Sequence, residues 1–249
     1  IQKPLKMKHL KTIMSVMILS AAVACTKNHA DGSGQVSFDI SGNFEVADQT
    51  RSNVSDYTTL PSAGDFLLSV SSASSAYSWS GKISEWDSSA TLPAGNYKVT
   101  ASYGSLDEEG FDKPFFTGSE DFAIIGGQVA SVPVSVSLGN TVVLVRCTDS
   151  FKNYYKDYSF KLTRSGSTIA SFAKGETKAA FVDGYRFTLE GTVQGPAKTQ
   201  TFNKEYTSLN EATAYTFLFD VSNAGGATIT VTFNDTVETI SLGDVELND

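Results

Sequence analysis

Apolar and polar residues alternate along most of the chain. Val36, Phe38 and Ile40 are separated by single polar residues. Tyr97, Val99 and Ala101 follow the same rhythm, as do Val132, Val134, Val136 and Leu138. So do Tyr215, Phe217, Phe219 and Val221, and finally Ile229, Val231 and Phe233. A period of two with one apolar side is the mark of a half-buried strand in an antiparallel sheet. No window of eleven or more residues carries a helical period, so no long helix is predicted. Short strands punctuated by Gly-, Asn- and Ser-rich turns predict an all-β chain built of antiparallel sandwiches.

The pattern occurs twice. L-P-A-G-N-Y-K-V-T-A (Leu92–Ala101) is followed by E-D-F-A-I-I-G-G (Glu120–Gly127) and S-V-P-V-S-V-S-L (Ser131–Leu138). V-D-G-Y-R-F-T-L (Val182–Leu189) is followed by K-E-Y-T-S-L-N-E (Lys204–Glu211) and A-Y-T-F-L-F-D-V (Ala214–Val221). Tyr97 is matched to Tyr185 and Phe122 to Tyr206. Two related sandwiches are therefore expected, over residues 35–139 and 140–249, with L-G-N (Leu138–Asn140) as the boundary. So short a link predicts end-to-end packing with little freedom.

The start of the chain has a different character. Met7 opens M-K-H-L-K, and Ile13–Ala24 then gives a mostly apolar run. That run is too short to cross a hydrocarbon core of about 30 Å. It suits the central part of a secretory signal, and small residues follow it. Residues 1–6 contain no Met and are expected to lie upstream of the true start, within a removed segment 1–24. The signal closes in A-A-V-A-C, which resembles a bacterial lipobox. The resemblance implies cleavage before Cys25 and acylation of its thiol and new amine. Ala22 stands where Leu is commoner. Several acyl chains hold firmly, since each buried CH₂ adds about 0.8 kcal/mol. Residues 25–34 form a polar tether.

Composition narrows the chemistry. The chain has 249 residues with 19 Lys+Arg against 27 Asp+Glu, a formal charge of −8. Lys3, Lys6, Lys8 and Lys11 all fall in the signal, so the mature part is more acidic still. Nucleic acid is excluded as an expected partner. The two histidines are His9, in the signal, and His29, in the tether. Ser–His and Cys–His catalysis and His-based zinc sites are therefore not expected, and no cofactor or metal is assigned. Cys147 lies in the alternating run T-V-V-L-V-R-C and reads as a small buried hydrophobe.

Three groups remain. Asp107, Glu108, Glu109 and Asp112 form an acidic run between strands, read as a solvated loop before a Ca²⁺ site. Tyr77, Trp79 and Trp86, with Tyr154 and Tyr155 in N-Y-Y-K-D-Y, are candidate ligand contacts. Exposed coplanar rings would stack on sugars, whereas core packing would bury them. D-T-V (Asp235–Val237) fits the Asp-Ser/Thr-apolar pattern of general O-glycosylation in Bacteroidetes and marks Thr236, although N-D-T is also good hairpin-turn chemistry.

The lipobox, a tether with T-R (Thr50–Arg51), L-P-A-G-x-Y (Leu92–Tyr97), F-x-G (Phe116–Gly118), G-G-Q-V (Gly126–Val129) and a closing alternating hairpin (Ala227–Leu242) occur together. In this the chain resembles uncharacterised two-domain lipoproteins of gut Bacteroidetes, related in architecture to fimbrillins. The resemblance covers residues 7–249. It implies a Gram-negative outer membrane reached through the lipid anchor, tandem transthyretin- or immunoglobulin-like Greek-key sandwiches, and no known catalysis. It also implies strand exchange with other envelope or fimbrial proteins. As that family works, a protease cuts after a basic residue, and Arg51 is where the cut would fall. The expected function is thus a non-enzymatic envelope lipoprotein, structural or adhesive, as a fimbrillin-like subunit or anchor. The alternative is a glycan-binding lipoprotein using aromatic loops. No acid precedes Asp31 after Cys25, which leaves both the surface and the periplasmic face open.

Overall fold

The computed structural model describes residues 32–47, 52–221, 228–233 and 236–241, the last two through their backbone. The chain folds into strands β1 (Ser33–Asn43), β2 (Leu67–Ser72), β3 (Tyr77–Lys82), β4 (Leu92–Pro93) and β5 (Gly95–Tyr103). There follow β6 (Gly110–Phe111), β7 (Phe116–Ile124), β8 (Val129–Leu138) and β9 (Thr141–Cys147). After helix α1 (Asp149–Tyr154) come β10 (Asp157–Arg164), β11 (Ser167–Ala173), β12 (Ala180–Val182) and β13 (Arg186–Gln194). The last are β14 (Thr199–Thr207), β15 (Ala214–Val221), β16 (Thr228–Phe233) and β17 (Thr236–Ser241). The all-β expectation holds.

Among the described residues the strands form three sheets. The first has the order β3-β2-β5-β7-β8-β1-β4, the second β11-β10-β13-β14, and the third β17-β16-β15-β9-β12-β6. Most pairings are antiparallel. Two ladders run parallel, β1 with β8 and β9 with β15. Alternation fixes which face of a strand is buried and says nothing of its direction, so these two were not legible.

Two apolar cores result. One gathers Val36, Leu68, Val70, Val99, Phe116, Val134 and their neighbours. The other gathers Phe151, Phe160, Phe172, Phe187, Leu189, Phe217 and Phe219 with theirs. β9 serves both. Val142 and Leu144 enter the first core, while Val143 and Val145 enter the second. This explains its continuous apolar run T-V-V-L-V, since a strand buried on both faces loses its alternation. Ala179, Phe181 and Ala214 also reach the first core from the second half. The L-G-N junction is itself buried: Asn140 is inaccessible, its Oδ1 accepts from the Phe115 N–H, and its carbonyl accepts from the Ala212 N–H at 2.8 Å.

One cross-strand aromatic pairing of the first half has a similar pairing in the second. Tyr97 pairs with Phe122 across β5 and β7, rings stacked at 5.5 Å. The matching pair in the second half is Phe187 with Tyr206, across β13 and β14 at 5.8 Å. Tyr185 is not the counterpart of Tyr97. It sits in the turn before β13, its N–H donating to Asp183 Oδ1 at 2.9 Å, and is 76% exposed. The helix α1 was not predicted. Its six residues are too few to show a period, and it is held by the Thr148 side chain, which accepts from the Phe151 N–H at 3.2 Å.

Candidate functional site: the first strand and its clasp

β1 lies late in its sheet. It runs parallel to β8 from Gln35↔Val129 to Asn43↔Ser137. On its other side it meets β4 through Ser33↔Pro93 and Gly34↔Leu92. Beyond Gly34 the ladder on that side ends, and side chains take over. The Trp86 indole N–H donates to the Val36 carbonyl at 2.9 Å, and Gln35 Nε2 donates to the Ser89 carbonyl at 2.9 Å. Phe38 packs edge-on against Trp86 at 5.0 Å and against Phe122 at 5.5 Å. Val36 is fully buried.

The two ends of the strand are fixed differently. At the start, Gly127 N–H donates to the Ser33 carbonyl and Ala94 N–H to the Gly32 carbonyl, at 2.9 and 2.8 Å. Gly34 passes so close to the β7–β8 turn that a Cβ there would lie 2.6 Å from the Ile125 carbonyl oxygen. At the far end, Phe44 packs edge-on to Phe116 at 5.4 Å. Ala47 then crosses to the second half, donating to the Ala212 carbonyl at 2.8 Å and accepting from the Ala214 N–H at 3.0 Å. The segment ahead of Arg51 thus touches both halves. Cys25 and Arg51 lie outside the described residues, and Thr236 is described only as the first residue of β17.

The candidate aromatics do not assemble into a stacking platform. Tyr77 and Trp79 share one face of β3, as the alternation predicts, but that face is turned toward the first core. Trp79 meets Trp86 edge-on at 4.8 Å, and Tyr77 meets Tyr97 edge-on at 5.8 Å. Tyr154 is edge-on to Tyr155 at 4.9 Å, and Tyr155 is 1% exposed, packed on Phe151. Coplanar exposed rings, which sugar stacking needs, are therefore not formed by this set. The reason is area: large rings beside an apolar core bury themselves in it.

A family model matches residues 32–248. The chain belongs to DUF4493, a domain of unknown function. Similar solved structures include a candidate polysaccharide-binding protein of Bacteroides thetaiotaomicron, at 11% identity and a TM-score of 0.45, covering 85% of this chain and 99% of that one. A candidate adhesin of the same species gives 12% identity and 0.44, over 86% and 99%. A fimbrial protein of Bacteroides ovatus gives 12% and 0.38, over 76% and 48%. No curated protein matches.

The acidic run of this DUF4493 chain is a fastening, a role the sequence did not disclose. Glu109 is held by the Arg164 guanidinium and accepts from the Asp183 N–H at 2.6 Å. Arg164 also donates to the Asp183 and Arg186 carbonyls, at 2.7 and 2.8 Å. The next residues, Gly110 and Phe111, form β6 and pair with Phe181 and Ala180 of the third sheet. Phe111 then reaches Phe172 at 5.1 Å. Asp112 binds Lys178 at 2.8 Å, and Glu108 binds Lys113 at 2.9 Å. Burial pushes the Glu109 carboxyl above its ordinary range, against the pull of the Asp183 N–H and of Arg164. Cys147 is half-buried in β9, and burial pushes its thiol up to about 11.

Proposed function

We propose that this protein is a non-catalytic lipoprotein of the cell envelope, structural or adhesive in role, in which units 35–139 and 140–249 act as one body. Cys25 carries the lipid. Cleavage after Arg51 frees the segment that contains β1, and a strand from a neighbouring envelope or fimbrial protein replaces it. The reading rests on the seating of β1: a long main-chain ladder on one side, and on the other a two-residue ladder continued by the side chains of Trp86 and Gln35. Removing such a strand bares the edge of β8 and an apolar slot, which together demand an extended partner. The absence of any histidine after His29 supports a role without acid–base catalysis by imidazole. Intact mass and N-terminal analysis of the protein from its own envelope tests this. Lipid on Cys25 and a second population beginning at Ser52 are expected. Assembled protein whose Cys25 lipid remains joined to residues beyond Arg51 would overturn strand release.

A further inference from the structure

The outer face of the first sheet is paved with small polar side chains. Register places Ser80, Ser69, Thr100 and Ser119 in one row across β3, β2, β5 and β7. The next row is Ser78, Ser71, Lys98 and Asp121. These are the solvent positions of the same alternation that buries Val70 and Val99. At the second row the face dips into a concavity of about 530 Å³, bordered by Ser71, Ala73, Asn96, Lys98, Asp121 and Ala123. That volume lies within the range of small-molecule sites.

The concavity is rigidly backed. Tyr97 and Phe122, stacked on each other, also line it. The turn that carries Ala73 is tied down by hydroxyls: Ser72 and Ser74 lie 3.1 Å apart, and Ser75 lies 3.2 Å from the Tyr97 hydroxyl. Tyr97 in turn donates to the Pro93 carbonyl at 2.8 Å.

The border is chemically unspent. Lys98 and Asp121 face each other directly in the β5–β7 ladder, where opposite charges ordinarily attract. Neither takes part in any ion pair among the described residues. One ammonium, one carboxylate, the Asn96 amide and the Ser71 hydroxyl are thus left facing solvent around one hollow. Their charges cancel, so a simple ion of either sign gains little there. β2 and β5 are laddered on both sides, so no extended peptide can add between the strands that carry Ser71, Lys98 and Thr100; β7 is laddered to β8 only at Phe116 and Thr117. What remains is a neutral molecule dense in groups that both donate and accept. Sugar hydroxyls are such groups: a diol donates to a carboxylate and accepts from an ammonium at once.

We infer that this groove binds a neutral polysaccharide, with one sugar diol held between Asp121 and Lys98 and flanking hydroxyls on Asn96 and Ser71. The row Ser69, Thr100, Ser119 carries the next unit. None of the polar contact residues belongs to β1 or its clasp; Phe122, which backs the hollow, is the one lining residue that packs on β1, through Phe38.

The test is titration of the isotopically labelled mature chain with neutral hexasaccharides of glucose, mannose and galactose, followed by backbone amide shifts. At millimolar sugar, at least one is expected to move the amides of Ser71, Asn96, Lys98 and Asp121. Asp121→Asn and Lys98→Met should each weaken it about tenfold, the loss of one charge-assisted hydrogen bond. Ser137→Ala, elsewhere on the same face, should leave it unchanged. Unliganded amide shifts of Val70, Val99 and Val134, buried under the same sheet, report that the variants remain folded. No shift at millimolar sugar overturns the inference. So do shifts centred on Trp79, Trp86 and Tyr154, full binding by both charge variants, or tighter binding of an oligogalacturonate than of every neutral sugar.

Discussion

Trp86 and Val36 are fifty residues apart in sequence and joined by one hydrogen bond, indole N–H to main-chain carbonyl, at 2.9 Å. The bond stands where the β4 ladder has already ended, so it substitutes for a strand partner on that side of β1. Trp86→Phe keeps most of the ring and deletes the donor. The expected cost is about 1 kcal/mol, felt in β1 before the rest. Hydrogen exchange checks it: amides from Val36 to Ser41 should exchange about fivefold faster than in the unaltered protein, while those of β13 and β14 hold. Uniform acceleration across the molecule would show that the bond does not grip β1 in particular.

Gly34 tests the same seating from the steric side. A Cβ at this position would lie 2.6 Å from the Ile125 carbonyl oxygen and 2.8 Å from that of Gln128. Both are backbone atoms and cannot swing aside. Gly34→Ala should therefore cost about 2 kcal/mol by overpacking, or leave the start of β1 undocked. Chemical denaturation gives the first quantity. Limited proteolysis between Gly32 and Ser37 reports the second. A variant with unchanged midpoint and unchanged cleavage would show that the close approach at Gly34 does not seat β1.

Strand positions and their buried faces were legible because alternation is a local signal. Tyr97, Val99 and Ala101 point inward as their spacing says, and so do Val132, Val134, Val136 and Leu138. Direction and partnership are not local. Nothing in V-S-F-D-I shows that β1 runs parallel to β8, and nothing in T-V-V-L-V tells a strand shared by two cores from one simply rich in valine. The aromatic candidates show the same limit. Alternation put Tyr77 and Trp79 on one face, and it could not say that Trp86 would fold back onto Trp79 and turn that face inward. Glu109 was hidden differently. Its neighbours Asp107 and Glu108 are exposed, as an acidic loop should be, and one carboxylate in the run is buried by a partner 55 residues away.

That carboxylate carries the fastening of the two halves. The Glu109 side chain is 11% exposed and that of Arg164 30%. Removing the cation from such a pair strands a charge, which costs more than removing the acid. Arg164→Met is expected to lose about 3 kcal/mol near neutral pH, and Glu109→Gln about 1 kcal/mol. The pH dependence has a definite sign. Because burial raises the Glu109 carboxyl in the folded state, the wild-type contribution declines as pH rises from the ordinary carboxylate range to the raised value. Without Arg164 the carboxyl rises further. The deficit of Arg164→Met should then be smaller in acid, where Glu109 is neutral in both proteins, and grow as pH rises. Thermal melts of both variants across the acidic range check this, and a deficit independent of pH would place the pair's strength outside its charges.

Cys147 offers a probe of the second core that does not disturb it. Its thiol, at the end of β9, lies beside Tyr158 of β10 and is pushed by burial from 9.0 to about 11. Thiolate is the reacting form, so at pH 8 alkylation should be about a hundredfold slower than for a free cysteine, in protein whose Cys25 is replaced by Ser. The same shift makes a statement about stability. Between the ordinary thiol value and about 11 the unfolded chain releases the proton and the folded chain keeps it. Stability should therefore fall through that window, and Cys147→Ala should flatten the fall. Burial holds the Tyr206 phenol up to about 12, so its own contribution declines later, above the ordinary tyrosine range. Separate slopes in denaturation midpoints, one abolished by Cys147→Ala and one retained, are the expected signature. Rapid alkylation of the folded protein at pH 8 would mean that β9 opens its edge to solvent far more than its buried valines allow.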